Sequence, residues 1–439
     1  MQTATNEKLV RAIGRWSLMA LMINTTIGSG IFGLPTILSG MLGTAAVWAY
    51  LAAGGITGVV LLCYAEIGSQ FRESGGSYLY VRTAFGRFAG ILIGWSSWLT
   101  RIASSAANAN LFVLYLAEFW PGAKQPLLRL LIMFFLIGAL ATINVRGVKG
   151  GTNVSNFFAV AKLMPLGLFI VLGIAYMARS GVALPIASPA TSGADGKVWL
   201  EAIVLLVFAF GGFDGIVNVA GEMKNPRRDV PFALLGGLAI VTLAYTLIQI
   251  VVLGTLPLSS TTDRPLAAAA RIFLGPAGAA LMSVAALISV YGHLSSQMVF
   301  TPRLTFGLAE NDDFPPTFGL VHLRFRTPYV SILVFAGLIM VLAAIGSFRW
   351  NAVLSVAARL VCYLFGCAAL PVLRRKQPQA DAFRLPGGVV FSLLGIAFCL
   401  LLITRLDQTA VIILLVTAAV AGLNWLWARQ RAATAPGAQ

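Results

Sequence analysis

Two apolar stretches of this chain are interrupted at their centres by glycine: Ile27-Gly28-Ser29-Gly30-Ile31-Phe32-Gly33-Leu34-Pro35 and Phe208-Ala209-Phe210-Gly211-Gly212-Phe213-Asp214-Gly215. Each lies midway through a segment long enough to cross a bilayer. Glycine disfavours the helix interior, so the helix is expected to unwind there and expose N–H and C=O groups that lipid cannot satisfy. Such backbone has to line a polar cavity. One break falls in the first span and the other in the sixth, the arrangement of a secondary transporter with a midplane substrate site between two related halves.

Composition excludes a soluble protein. Of 439 residues, 58% are hydrophobic and 10% charged, and the mean hydropathy is +0.87. A spanning helix needs ~20 mostly apolar residues. Twelve are expected, at 14–40, 45–70, 87–119, 126–145, 152–178, 198–222, 231–256, 272–300, 328–347, 350–373, 386–404 and 409–428. Little chain remains for a separate catalytic or regulatory domain. The N-terminus shows no small-residue cleavage site after a short apolar core, so the first helix is expected to be retained.

A net charge of +16 would suit nucleic acid, but the basic residues are placed for topology. Most Lys and Arg fall in segments that share a side with the N-terminus, as in Arg82 and Arg87 or the run Arg374-Arg375-Lys376. The positive-inside rule then places both termini in the cytoplasm of a multi-pass protein of the cell inner membrane. Cys63, Cys362, Cys367 and Cys399 all lie in apolar spans without metal-ligand spacing. Neither disulfide nor zinc is expected, and they read as small packing residues.

The matched positions of the two breaks divide the chain into a first inverted repeat, residues 1–180 (spans 1–5), a second, residues 181–376 (spans 6–10), and an appended pair of helices with the C-terminus, residues 377–439. Three motifs then carry a resemblance: Ile27-Gly28-Ser29-Gly30-Ile31-Phe32, the loop Glu73-Ser74-Gly75-Gly76-Ser77-Tyr78, and Phe213-Asp214 followed by Gly221-Glu222-Met223-Lys224-Asn225-Pro226. In this order they resemble the amino acid-polyamine-organocation permeases, bacterial amino acid permeases and exchangers in particular, across essentially spans 1–10. The resemblance implies an all-α integral membrane protein with the leucine-transporter-type 5+5 inverted repeat, helices 1 and 6 broken. It also implies transport of amino acids or amines by symport, exchange or facilitated diffusion.

An amino acid zwitterion must exchange its water shell for protein groups. The N–H groups of Ser29 and Gly30, at the N-terminus of the outer half of helix 1, suit a carboxylate, and Gly28 and Gly30 allow close approach. The carbonyls of Thr26, Phe208 and Gly211 suit the ammonium. Close helix packing is the competing reading of these glycines. The resemblance implies that the matched positions hold the substrate backbone and that Phe208 closes over it from outside, where an aromatic ring also offers a cation–π contact.

Charge deep in a span demands a partner or a role. Lys162, in Asn153-(x8)-Lys162-Leu163, matches a family lysine that stands where sodium-coupled relatives hold the ion; it would tether helix 1 to helix 5 and exclude sodium coupling. Asp214 can carry a proton or pair with an intramembrane arginine. Arg101 departs from the family pattern, in which cation exchangers have a small uncharged residue. It would either welcome a carboxylate in the distal pocket or be neutralised by Asp214 or Glu118. Arg359, in span 10, belongs to a region that contributes to the outer gate in this fold. His293, Gln297 and Ser105 are candidates for the specificity side, and Glu66 for cytoplasmic contacts with Arg72.

The expected function is sodium-independent movement of small neutral or acidic L-amino acids by alternating access, with a polyamine or cationic amine exchanger as the alternative. Proton symport, exchange and uniport stay open, as does a homodimer. No cofactor, metal or nucleic acid is expected, and membrane lipid is the surrounding partner. A channel would need a filter repeated by symmetry, of which no pattern appears, and an enzyme a nucleophile–base pair or metal cluster, which two histidines without a His-x-x-x-His or paired Asp motif in a span do not support; without a nucleotide-binding loop, direct ATP coupling is not expected.

Overall fold

The computed structural model describes residues 14–71, 76–147, 152–182, 193–213, 216, 225–376 and 383–434. Within them the chain is all helical, without a strand. The helices are α1 (Arg15–Thr26), α2 (Gly30–Gly33), α3 (Pro35–Leu42), α4 (Ala46–Gln70), α5 (Gly76–Phe85), α6 (Arg87–Leu116), α7 (Pro126–Val145), α8 (Thr152–Arg179), α9 (Gly196–Ala209), α10 (Pro226–Thr255), α11 (Pro265–Glu310), α12 (Tyr329–Ile345), α13 (Phe348–Lys376), α14 (Gly388–Ile403) and α15 (Gln408–Thr434). Seven helices among the described residues are long and apolar enough to cross a bilayer, and α12 and α14 are shorter apolar helices.

Helix starts follow local chemistry. Pro126 opens α7 and Pro265 opens α11, where a missing N–H costs nothing. The expected span at 272–300 lies inside the longer α11, which bends at Gly275, where φ is +67°. The loop expected after the second span continues into a short helix, α5. Large apolar side chains such as Phe135, Met164, Leu393 and Leu415 stand exposed on α7, α8, α14 and α15. An outer surface of that kind suits lipid rather than water.

The two breaks fall where the glycines put them. α1 stops at Thr26, Ile27 turns extended at φ −73°, ψ 93°, and helix resumes at Gly30. α9 stops at Ala209, and the chain passes Gly212 at φ +114°, a conformation that a side chain would strain. The breaks touch: a Cβ on Gly212 would collide with the Thr25 carbonyl, and one on Gly30 would lie 2.6 Å from Ala209 Cα. Around this centre, α1 packs on α8, α10 and α11, while α6 packs on α5, α7, α11, α12, α13 and α15. The four cysteines are buried and carry no disulfide.

Candidate functional site

Unwinding α1 frees carbonyls that need donors, and neighbouring helices supply them. Lys162 Nζ, fully buried on α8, donates to Asn24 O and Ile27 O, each at 2.8 Å. Ser289 of α11 donates to Ile27 O at 3.3 Å, and the Tyr245 hydroxyl of α10 lies 3.4 Å from Thr26 O and 3.3 Å from Ala209 O. On the donor side of the break, Ser29 N–H bonds Asn108 Oδ1 of α6 at 3.1 Å. Gly28 faces His293 and Asn108, with a Cβ there meeting His293 Nδ1 at 3.2 Å.

At the second break, Arg359 of α13 donates from Nη1 to Val207 O at 3.2 Å and Phe208 O at 3.4 Å. Its guanidinium lies over Gly211 so closely that any Cβ would displace it. The Phe208 carbonyl named above for an ammonium therefore holds a guanidinium in this conformation.

Beside both breaks lies a polar cavity of about 10 Å³, lined by Thr25, Thr100, Arg101, Ser104, Gly212, His293, Ser296, Gln297, Phe300 and Arg359. It has room for about one water. Arg101 Nη1 donates to Gln297 Oε1 at 3.3 Å. His293 Nε2 lies 3.4 Å from both Ser104 Oγ and Gln297 Nε2. Ser105 is fully buried at the neighbouring position of α6. Thus Gly28, Gly211, Arg101, His293, Gln297 and Arg359 converge, with Thr26, Ser29 and Gly30 on the break alongside. Asp214 lies outside the described residues.

One expected pairing is corrected. Glu118 does not neutralise Arg101: its carboxylate meets Arg264 at 2.6 Å and also Arg271, some 25 Å along α6 from Arg101 at 1.5 Å per residue. Glu66 accepts a two-pronged contact from Arg374, both at 2.7 Å, and the Leu385 N–H at 2.9 Å; its expected partner Arg72 lies outside the described residues.

A second cavity, of about 810 Å³, lies further along α6 and α13, lined among others by Gly33, Asn110, Leu111, Lys124, Arg129, Asp263, Phe348 and Arg349. Asn110 is six positions beyond Ser104, so the two cavities are separated by roughly 9 Å along α6. Phe208 meets Phe348 edge to face, centroids 6.0 Å apart, and Phe348 also packs against Gly33. At the opposite end, Asp313, fully buried, pairs with Arg87 at 2.6 Å and Arg82 at 3.2 Å and accepts the Tyr78 hydroxyl.

Asn108, Tyr245, Ser289 and Asp313 were missed in sequence. A signal existed for the first: Arg101, Ser104, Ser105 and Asn108 recur at i, i+3, i+4 and i+7, a polar stripe along an otherwise apolar helix. Tyr245 carries the same signal, since Thr242, Tyr245, Thr246 and Gln249 recur at that spacing on α10, and Ser289 lies four positions before His293 on α11.

A bundle of apolar helices in which the break after α1 meets the end of α9 beside a polar cavity suits an integral membrane transporter. The sequence pattern of the amino acid permease family matches residues 13–432, and the chain belongs to that family. It is similar to the serine/threonine exchanger SteT of Bacillus subtilis (strain 168), 28% identical over 89% of each chain. It is also similar to the branched-chain amino acid permease BcaP of the same organism, 26% identical over 94% of this chain and 92% of the other. The arginine/agmatine antiporter of Chlamydia pneumoniae is 27% identical over 90% of this chain and 86% of its own. Family and relatives are transporters rather than enzymes.

Proposed function

We propose that the chain carries small neutral or acidic L-amino acids across the cell inner membrane by alternating access, without sodium. The reading takes twelve spans with both termini cytoplasmic, residues 1–180 and 181–376 as inverted repeats, and 377–439 as an appended pair. The observation that supports it most is Lys162, whose ammonium bridges α8 to the two carbonyls freed at the end of α1. A cation is already in place where a sodium ion would act, so sodium has no site to fill. In this orientation the cavity of about 810 Å³ faces outside. The Asp313 and Glu66 ion pairs close the cytoplasmic end, and Phe208 with Phe348 stands between the outer cavity and the centre.

The serine/threonine exchanger among the relatives favours small neutral substrates and an exchange mode. The arginine/agmatine antiporter would favour the alternative, a cationic amine exchanger. Against that alternative, Arg101 and Arg359 both border the central cavity, where a third cation meets repulsion at low dielectric.

The test is counterflow in proteoliposomes. Radiolabelled serine is expected to enter vesicles preloaded with unlabelled serine, saturably, and at the same rate with or without a sodium gradient. Uptake that grows with the sodium gradient would overturn the coupling argument, and strong competition by agmatine would favour the cationic alternative.

A further inference from the structure

The central cavity, of about 10 Å³, has room for about one water, so an amino acid cannot share this conformation with the side chains already there. What fills the space is chemically specific. Each charged group of a zwitterion has a counterpart among the protein's own side chains, seated on backbone that the breaks expose.

The counterpart of the ammonium is Arg359. At the end of α9 the Gly211 N–H turns back to Phe208 O at 3.2 Å, so Val207 O loses its helical partner, and Arg359 Nη1 lies 3.2 Å from Val207 O and 3.4 Å from Phe208 O. These carbonyls stand at the negative end of the helix. The guanidinium also takes up the space beside the break, since a Cβ on Gly211 would fall 1.3 Å from Nη1 and 2.0 Å from Cζ. A substrate ammonium bound to the same carbonyls has to take its place.

The counterpart of the carboxylate is Asn108. Its Nδ2 donates to Ser104 O at 2.8 Å, which fixes the amide with Oδ1 accepting the Ser29 N–H at 3.1 Å. Contact lengths set Arg359 apart from the tether. Lys162 holds Asn24 O and Ile27 O at 2.8 Å each, an ordinary length for a charged donor, whereas both Arg359 contacts are longer than a charged donor prefers. A buried cation on long hydrogen bonds to neutral carbonyls gives way to one that fits them better.

Resting on the amino acid transporter reading, we propose that Arg359 and Asn108 are built-in stand-ins for the substrate's ammonium and carboxylate, and that a substrate binds by displacing both. Arg359 is then a specificity-determining residue. A ligand gains the α9 carbonyls only when it carries a cation beside its carboxylate.

The experiment pairs an amino acid with the same molecule lacking its α-amino group: L-serine with 3-hydroxypropanoate, and L-aspartate with succinate. Titration calorimetry on the purified full chain in detergent gives the dissociation constants, and counterflow in proteoliposomes establishes which amino acid is carried. Arg359→Met is expected to lower the dissociation constant of that amino acid about fivefold, the worth of one competing hydrogen bond, and not to lower that of its des-amino analogue. Asn108→Ala is expected to lower both, because both molecules carry the carboxylate; a rise in either overturns the assignment of Asn108. A purely structural Arg359 moves amino acid and analogue together, and a guanidinium that contacts bound substrate raises the amino acid's constant on removal. Either result overturns the stand-in.

Because Arg359→Met can fail to fold, Arg359→Lys supplies a second variant. Its shorter stem keeps the charge but holds the carbonyls less well, so a smaller fall confined to the amino acid is expected, and a constant equal to the native one overturns the proposal. Native protein that exchanges serine or aspartate, with variants that bind it no more tightly, overturns the stand-ins and leaves the transporter reading standing. A monodisperse native preparation that exchanges neither overturns both.

Discussion

Replacing Lys162 by methionine is expected to slow counterflow roughly a hundredfold. The ammonium donates to Asn24 O and Ile27 O at 2.8 Å, and hydrogen bonds to a charged group contribute about 1.5–3 kcal/mol each. Methionine keeps the length and bulk but offers no donor, so both carbonyls stay buried with fewer partners. Ser289 lies 3.3 Å from Ile27 O, a weaker substitute. A loss of about 3 kcal/mol corresponds to roughly two decades in an equilibrium, enough to shift the balance between conformations that pack α1 on α8 and those that do not. Initial rates in proteoliposomes check it. A Lys162→Met protein that exchanges at the native rate would show that the tether does not govern the cycle.

Replacing Asp313 by alanine has the second largest expected effect. Its carboxylate, with none of its side chain exposed, joins Arg82, Arg87 and Tyr78, while its own carbonyl accepts Asn424 Nδ2 of α15 at 2.6 Å. One residue at the end of α11 thus ties together α5, α6 and α15. Burial, and after it the Asp313 carboxylate, raise the Tyr78 phenol above its ordinary pKa, so the hydroxyl remains a donor throughout the neutral range.

Removing one partner of a buried ion pair costs about 3–5 kcal/mol. The two arginine side chains are 33% and 29% exposed, and solvent screening reduces the figure to about 2–3 kcal/mol. The melting temperature should fall accordingly, Asp313→Glu should recover part of it, and a cysteine introduced at Tyr78 should react faster with a thiol reagent in the alanine variant than in the native background. Equal labelling and an unchanged melting temperature would remove Asp313 from the closure of this end.

Residues close in sequence decided the helices and the breaks. α7 coincides with the expected 126–145, bounded by Pro126 at its start, and Gly28, Gly211 and Gly212 sit where α1 and α9 stop, because helix propensity and glycine's freedom at φ +114° are properties of a few neighbouring residues. Buried charge in an apolar span likewise marked Lys162, Arg101 and Arg359 before any fold was known, since desolvation alone makes such residues need a partner.

The partners themselves were decided only by tertiary structure. Lys162 meets carbonyls 138 and 135 residues away, Arg359 one 152 residues away, and Asp313 a tyrosine 235 residues away. The expected pair Glu118 with Arg101 was a choice of opposite charge, and packing replaced it, while Glu66 found Arg374 308 residues away. Helical periodicity states which side chains share a face, as Arg101, Ser104 and Asn108 do on α6. Which helix that face meets depends on how the whole bundle shares its apolar surface between core and lipid, and no short stretch of sequence contains that information.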